Sequence, residues 1–142
     1  MEALSFELPY PPSHNSYYRR VGHRTLISRE GRAYRKNVVA LLAPAGNGQQ
    51  PPNDGRIALA MDAFPPDRRR RDLDNIQKPL LDALEHAGIY ADDSQIDLLL
   101  TARQSVEPGG KVCVRVVPFP PNTCPICHNL LPKGAFRSCN LN

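Results

Sequence analysis

The chain has 142 residues, a formal net charge of +4 at pH 7 and a hydrophobic fraction of 41%. Its length favours one domain with a small core, because domains usually contain about 100–200 residues. The acidic N-terminus does not match a signal peptide, and no apolar run reaches the roughly 20 residues of a membrane helix. The composition therefore predicts a cytoplasmic protein without a membrane partner.

The first half of the chain predicts a strand, a polar loop and a helix. Apolar and polar residues alternate over residues 4–8, which is typical of a strand, and the prolines that follow end it. Residues 13–25 are polar and are predicted as a loop. Ser28 is a favourable N-cap for a helix over residues 29–42, and residues 44–54 are rich in Gly, Pro, Asn and Gln, which predicts a second loop.

The second half predicts a strand, a helix and two further strands. The strands are expected at residues 56–64, 96–101 and 111–117. Pro79 interrupts the helical pattern between the first two strands, so the helix is expected either to begin near Lys78 or to be kinked there. The order β-α-β-α-β-β predicts an α+β fold, in which one small domain has a mixed β-sheet with helices packed on it.

The composition changes near the end of the chain, which predicts a domain over residues 1–118 and a linker with a cysteine-bearing tail over residues 119–142. In a cytosolic protein, cysteines favour metal binding or free thiols over disulfides. Two tail cysteines have zinc-knuckle spacing, which predicts a structural Zn²⁺; free thiols in an unfolded tail are the alternative. Cys113 lies among valines and is predicted to be a buried core thiol. The candidate zinc ligands are Cys124, Cys127, Cys139 and His128.

The most informative segment of the chain begins with four consecutive arginines at residues 68–71. Asp72 and Asp74 follow with one residue between them, and Lys78 comes one helical turn later. A second acidic pair, Asp92-Asp93, lies about twenty residues downstream. Gathered carboxylates repel each other unless a cation joins them, and Mg²⁺ prefers oxygen ligands. The pattern therefore predicts a magnesium site.

Arginines beside such a site indicate a polyanionic substrate, and the predicted chemistry is metal-assisted hydrolysis of a nucleic-acid phosphodiester. Lys78 is predicted to stabilise charge on the phosphoryl oxygens or on the leaving group. Helix capping by Asp72 and Asp74, and an ordinary turn at Asp92-Asp93, are the structural alternatives. The DNA-binding candidates are Arg68, Arg69, Arg70, Arg71, Arg19, Arg20 and Arg24 for the backbone, with Tyr17 and Tyr18 for base stacking or, alternatively, for packing within the protein.

Two segments resemble a known family. Residues 68–95, RRRRDLDNIQKPLLDALEHAGIYADDSQ, closely resemble the signature of the RusA-type Holliday junction resolvases, and residues 8–19, LPYPPSHNSYYR, resemble the N-terminus of that family. The resemblance extends over residues 4–117. Its motif, DLDN-x-x-K followed by GI-x-x-DD, is specific, whereas the cysteine-bearing tail departs from the family pattern.

The resemblance implies a homodimeric endonuclease that requires Mg²⁺, with Mn²⁺ as a substitute, and that resolves four-way DNA junctions by paired nicks in recombination and repair. At matching positions the catalytic residues are Asp72, Asp74, Asp93 and Lys78; Asp92 also matches and ranks after Asp93 as a metal ligand. The resemblance further implies a phage or prophage gene in a bacterium. A non-catalytic branched-DNA-binding or regulatory protein on the same fold, or another structure-selective phosphodiesterase, is the alternative.

Overall fold

The computed structural model describes residues 3–44, 55–124 and 126–133. The elements in chain order are β1 (Leu4–Pro9), α1 (His14–Tyr17), β2 (Tyr18–Val21), β3 (Arg24–Ile27), α2 (Arg29–Leu42), β4 (Ile57–Phe64), α3 (Asp74–His86), a 3₁₀ turn (Asp93–Gln95), β5 (Ile96–Arg103) and β6 (Lys111–Pro118). The three helices and the sheet confirm the predicted α+β class.

A four-stranded sheet with the order β1-β6-β4-β5 forms the centre of the fold. β4 is parallel to β5 and antiparallel to β6, and β6 is antiparallel to β1, so the sheet is mixed as predicted. The parallel pair requires a crossover connection, and α3 supplies it. The segment from the end of β4 to the start of β5 therefore leaves one end of the sheet and returns along it, carrying most of the predicted site residues.

One face of the sheet forms the core. Along β4, Ile57, Leu59, Met61 and Ala63 alternate with less buried residues and are at most 1% exposed, which confirms the strand predicted at residues 56–64. These side chains pack with the apolar sides of α2 and α3 in one cluster. The opposite, outer face of the sheet carries the half-buried Cys113. Because Cys113 alternates with inward-facing valines, the prediction of a core thiol is wrong.

The predicted loop over residues 13–25 is also wrong, because this segment contains α1 and most of an antiparallel β2–β3 hairpin. Ser13 caps α1, and its side chain accepts a hydrogen bond from the Ser16 N–H. The hairpin turns at Gly22, which has a positive φ of 61°. Its strands have only four residues each and carry arginines, so they lack the regular apolar alternation that identifies a strand in sequence.

α2 begins where predicted and passes very close to the base of the hairpin. The Ser28 side chain accepts a hydrogen bond from the Gly31 N–H at 2.9 Å, which confirms the N-cap. A Cβ at Gly31 would lie 2.4 Å from the Tyr17 carbonyl oxygen and 2.9 Å from the Ile27 Cγ2. Only glycine allows this approach without displacement of the backbone of α1 or α2.

α3 begins at Asp74, so the prediction of a helix start near Lys78 is wrong. Pro79 is the sixth residue of the helix and lies inside it. Its missing N–H removes the bond that the carbonyl of Asn75 would otherwise accept. The Pro79 side chain is buried. Packing of its ring against the core therefore compensates for part of the lost hydrogen bond. The earlier start places Asp74 in the first turn of α3.

Candidate active site

The arginine segment is anchored to the domain through Asp67. The Asp67 carboxylate accepts hydrogen bonds from the Arg69 N–H at 2.9 Å and from the Arg71 side chain at 2.5 Å. These two interactions, that of Arg71 foremost, lower the pKa of Asp67 to about 2. The Arg71 guanidinium also lies 5.9 Å from the centre of the Tyr10 ring. The backbone carbonyl of Arg71 accepts a hydrogen bond from the Arg103 side chain. The backbone immediately before Asp72 is therefore held at three points.

The other arginines of this segment are more open to solvent. Arg69 makes a long contact of 3.8 Å with Asp67 and is mostly exposed. Arg68 and Arg70 are exposed and form no hydrogen bond or ion pair with the residues that the structure describes. Arg69, Arg70, Arg71 and Asp72 line an open groove of about 990 Å³, together with residues of the segment 10–16 and of α2.

Asp72 and Asp74 lie at the entrance to α3 and are both exposed. The N-cap of α3 is Leu73, and no side chain caps the helix. The alternative prediction, that these aspartates serve as helix caps, is therefore wrong. The negative charge of Asp74 is stabilised by its place in the first turn of α3, where the helix dipole favours anions. Within the described part of the chain, neither carboxylate accepts a hydrogen bond, so both are open to solvent, and Asp72 also lines the groove.

Asp92 and Asp93 have different roles. Asp92 caps the 3₁₀ turn: its carboxylate accepts the Ser94 N–H at 2.7 Å, and the backbone N–H of Asp92 donates to Gln95. The hydrogen bond from the Ser94 backbone lowers the pKa of Asp92. The turn interpretation thus holds for Asp92. Asp93 instead directs its carboxylate toward α3.

Lys78 and Asp93 form the contact that joins the two acidic segments. The Lys78 Nζ donates to the Asp93 Oδ2 at 2.9 Å, and this hydrogen bond raises the pKa of Lys78. The Asp93 N–H donates to the Glu85 side chain at 3.3 Å, which ties the turn to α3 a second time. The structure therefore brings together two of the four predicted catalytic residues, and it places Asp74 one helical turn before Lys78.

The donor chemistry of the site fits a hard divalent cation, because Asp72, Asp74 and Asp93 offer carboxylate oxygens, and all three are at least partly exposed. The described residues contain no group of three or more Asp, Glu, His or Cys close enough to hold a metal ion. The predicted three-carboxylate cluster is therefore not assembled in this arrangement, in which Asp93 is paired with Lys78.

A polar cluster beneath Lys78 escaped the sequence analysis. Asp82 lies one helical turn after Lys78, and its Oδ2 accepts the Tyr17 hydroxyl at 2.6 Å and the Arg35 guanidinium at 2.5 Å. Burial opposes ionisation of Asp82, but these hydrogen bonds and the charges of Arg35 and Lys78 outweigh it and lower its pKa. The cluster fastens α1 and α2 to the helix that carries Lys78.

The two tyrosines of the predicted DNA-binding set are positioned within the protein. Tyr17 is 0% exposed, so packing is the correct interpretation and base stacking by Tyr17 is excluded in this conformation. Tyr18 is half-buried, and its ring packs against His14 and Tyr17. Its hydroxyl is buried and has no hydrogen-bond partner among the described residues. Burial raises the pKa of the Tyr18 hydroxyl. The charges of Asp82 and Asp93 also raise this pKa, whereas the charge of Lys78 lowers it.

The remaining DNA-binding candidates lie on the hairpin. Arg19, Arg20 and Arg24 are exposed, and their side chains form no hydrogen bond or ion pair with other residues in the described ranges. They project from the β2–β3 hairpin, not from a loop as predicted. The hairpin starts at Tyr18, so it extends from the neighbourhood of Lys78 and Asp93 into solvent.

The described part of the tail forms a tight turn. The carbonyl of Cys124 accepts the His128 N–H at 2.9 Å, and Thr123 bridges to Leu130. Hydrogen bonds from the backbone N–H groups of Cys127 and Ile126 lower the pKa of the Cys124 thiol. Cys124 and Cys127 are free thiols, whereas Cys139 lies outside the described residues. No described helix has the length and apolar character needed to cross a membrane.

Comparison with known proteins identifies the family. Residues 9–116 match the family described as Endodeoxyribonuclease RusA. The chain belongs to the RusA endodeoxyribonuclease family. It is 45% identical over 114 residues to the crossover junction endodeoxyribonuclease RusA of Shigella sonnei. The matched region covers 79% of this chain and 92% of that relative. The expectation drawn from the DLDN and DD motifs is thus confirmed at the level of the family.

Relatives in the RusA family come from both phage and bacteria. The crossover junction endodeoxyribonuclease rusA of Enterobacteria phage HK97 is 42% identical over 116 residues, covering 82% of this chain and 95% of the phage protein. The Escherichia coli K12 protein of the same description is 44% identical over 114 residues, covering 79% of this chain and 92% of that relative. The matched region includes the candidate active site and the hairpin.

Proposed function

We propose that this protein is a Mg²⁺-dependent endonuclease that resolves four-way DNA junctions by paired nicks, with Mn²⁺ as a substitute ion. The observation that carries the proposal is the 2.9 Å contact between Lys78 and Asp93. In a member of the RusA family, this contact joins the lysine of the DLDN-x-x-K motif to the acid of the DD motif, and the other acids of the DLDN motif, Asp72 and Asp74, are exposed.

The three aspartates have the role of metal ligands in this proposal, and Lys78 has the role of a charge-stabilising group. When bound, Mg²⁺ supplies polarisation of the scissile phosphate and activation of a water molecule. Asp72 and Asp74 would hold the ion through their exposed carboxylates, and Asp93 would join them as a ligand in place of its ion pair with Lys78. Lys78 would then be available to stabilise charge on a phosphoryl oxygen.

A homodimer is part of the proposal, because a four-way junction has twofold symmetry and a C₂ dimer presents one active site to each of two opposed strands. The groove beside the arginine segment is suited to one DNA strand, since the exposed Arg69 and Arg70 line it together with Asp72. We further propose that the protein acts in the cytoplasm of a bacterium and is encoded by a phage or prophage, as its HK97 relative is.

The test is cleavage of a labelled synthetic four-way junction, with a linear duplex of the same sequence as control, with and without Mg²⁺. Paired nicks confined to the junction and dependent on metal are expected. Asp72→Asn removes one ligand and one negative charge facing phosphate, so cleavage is expected to fall by at least about 1000-fold while junction binding is retained. Asp62→Asn is the matched control, because Asp62 is an exposed aspartate on the outer sheet face.

The second candidate is a non-catalytic protein that binds branched DNA on the same fold. The exposed arginines that line the groove would serve binding of branched DNA without any catalytic step. Binding of the junction without cleavage under any divalent ion would support this candidate. Loss of both binding and cleavage in Asp72→Asn would instead assign Asp72 a structural role.

We also propose that the tail binds one structural Zn²⁺ through Cys124 and Cys127, with Cys139 and His128 as further ligands. The N–H groups directed at the Cys124 sulfur are suited to a thiolate, which is the form that binds zinc. Zinc content of the purified protein, compared with that of Cys124→Ser, tests this directly. An equal zinc content in the two proteins would contradict the assignment.

A further inference from the structure

The β2–β3 hairpin has two faces with different surroundings. Directly opposed residues share a face of a β-ribbon, and faces alternate along each strand. Tyr18 and Ile27 are paired on one face, and both pack against the core. On the other face Arg19 is opposite Leu26 and Val21 is opposite Arg24. This second set of four residues is named the outer ribbon face.

The outer ribbon face combines free positive charge with exposed apolar surface. Val21 is 47% exposed and Leu26 is 41% exposed, although both are aliphatic. Arg19 and Arg24 have no ionic or hydrogen-bonding partner in the part of the chain that the structure describes. Residues 18–27, YRRVGHRTLI, contain three arginines and no acid. The hairpin therefore gains no electrostatic compensation from its own sequence.

This combination fits unstacked nucleic acid better than a regular duplex. A duplex offers phosphates to arginine, but its bases are stacked and hide their apolar faces. At the centre of a branched structure the stack is interrupted, so aliphatic side chains can pack on exposed base faces, as apolar wedges do between base steps. A two-stranded ribbon is also narrow enough to enter the DNA grooves.

The base of the hairpin places this face near the candidate active site. Tyr18 begins β2, and its buried hydroxyl lies in the electric field of Lys78, Asp82 and Asp93. Tyr17, the residue before it, donates a hydrogen bond to Asp82 on α3. DNA held by the hairpin is thus held next to the helix that carries Lys78.

We propose that the outer ribbon face docks on the unstacked bases at the centre of a four-way junction. Val21 and Leu26 pack on the base faces, and Arg19 and Arg24 contact the flanking phosphates. The hairpin then gives the enzyme its preference for branched over linear DNA. The inference rests on the proposed junction-resolving function and assigns the selectivity of that function to one element.

The experiment measures dissociation constants for a four-way junction and for a linear duplex of the same sequence. Two double variants separate the two contributions: Val21→Ser with Leu26→Ser, and Arg19→Gln with Arg24→Gln. Val39→Ser with Leu41→Ser is the matched control, since these aliphatic residues of α2 are 36% and 50% exposed. Circular dichroism establishes that each variant is folded.

The serine pair in the hairpin is expected to weaken junction binding about tenfold, because contacts with a base face are of that size, and to leave duplex binding unchanged. The glutamine pair is expected to weaken both, and to reduce the slope of log K against log salt by about 1.8, since each phosphate contact contributes about 0.9. The serine pair on α2 is expected to change neither affinity.

Three results would overturn the inference. The first is an unchanged ratio of junction to duplex affinity in the hairpin serine variant. The second is an equal loss in the α2 serine variant. The third is dissociation of a dimer by the hairpin serines in sedimentation, which would make the face a contact between two copies. If the wild-type protein cleaves junctions and the hairpin variants bind junction and duplex as the wild type does, this inference alone is refuted. Wild-type protein without junction preference refutes the proposed function as well.

Discussion

The arginine segment 67–71 and the β2–β3 hairpin are both basic, but their arginines have different environments. In the arginine segment, Arg71 is held by Asp67 and by the Tyr10 ring, and its side chain is only 25% exposed. In the hairpin, Arg19 and Arg24 are exposed and have no partner among the described residues. The first environment fixes the chain next to Asp72, whereas the second leaves charge available for a ligand.

The difference shows that a run of arginines is not one functional unit. Arg71 stabilises the approach to the candidate active site, and a phosphate would have to displace Asp67 to reach it. Arg68 and Arg70, in the same run, are exposed like the hairpin arginines. An arginine contributes to DNA affinity in proportion to how little its guanidinium is already committed to the protein.

The strongest test of this comparison is Arg71→Ala. Its loss releases Asp67 and the backbone that leads into Asp72, and a displacement of about 1 Å at a reacting group can reduce the rate about 100-fold. We expect junction nicking to fall by about that factor, with a much smaller change in junction affinity. Arg115→Ala is the matched control, because Arg115 is an exposed arginine of β6, and its loss should leave nicking nearly unchanged. A purely DNA-binding Arg71 would instead lose affinity and rate together.

The second test concerns the anchor that holds the hairpin and α2 on α3. Asp82→Asn keeps an acceptor for Tyr17 but removes the charge paired with Arg35, which lowers the free energy of unfolding by about 2 kcal/mol. Asp97→Asn disrupts the more exposed pair with Arg56 and is expected to cost less than about 1 kcal/mol. Urea denaturation measures both values. Equal costs would show that the cluster beneath Lys78 is not a special anchor.

The pH dependence of the Asp82 effect has a definite sign. The folded-state pKa of Asp82 lies below its ordinary value of 3.8, so folding favours the ionised form. The contribution of this carboxylate is complete above that value and is lost as the pH falls through the lower folded-state pKa. We expect the stability difference between wild type and Asp82→Asn to be constant from about pH 7 to pH 5 and to narrow below about pH 4. A difference that grew on acidification would contradict the assigned direction.

A smaller effect is expected from the exposed arginines of the arginine segment. Arg68→Gln with Arg70→Gln should reduce the salt slope of both junction and duplex binding by about 1.8, because both side chains are free to contact phosphate. The ratio of junction to duplex affinity should stay constant, in contrast to the hairpin serine variant. A change in that ratio would mean that the arginine segment also contributes to structural selectivity.

The smallest effect is expected from the tail, which lies outside both basic regions. Removal of residues 119–142 should leave metal-dependent nicking intact, because Asp72, Asp74, Asp93 and Lys78 all lie in the preceding domain. Some loss of thermal stability is expected, since Pro121 is buried. Initial nicking rates of the full and shortened chains are compared under identical conditions. A shortened chain that is folded but inactive would place the tail within the catalytic unit.

The main sheet and two long helices were predictable from sequence because their residues follow a clear period. β4 alternates buried and less buried positions, and Ser28 caps α2 with a side chain of the expected type. The β2–β3 hairpin was not predictable, because both of its faces carry polar residues and its strands are short. The start of α3 was not predictable, because a proline in a helical pattern indicates a helix boundary, whereas the burial of Pro79 inside α3 becomes visible only in the fold.

The candidate site was predictable in its residues but not in its connections. The DLDN-x-x-K and DD motifs identify the acids and the lysine, but they do not reveal that Asp92 caps a turn while Asp93 bonds to Lys78. Asp82 gave no local signal, since one aspartate in an amphipathic helix is usually a solvated position. Its partners Tyr17 and Arg35 are 65 and 47 residues away in sequence, and only the fold brings them together.

Gly31 gives the molecule a simple geometric control over how far the two basic regions stand apart. Its missing side chain lets α2 lie against the Tyr17 carbonyl and Ile27, at the root of the hairpin. A methyl group added at Gly31 would push α2 away from the root of the hairpin. The hairpin tip at Gly22 and His23 would then be displaced farther than the root. Under the proposed function, the position of the hairpin relative to the candidate catalytic residues therefore depends on the absence of a side chain at Gly31.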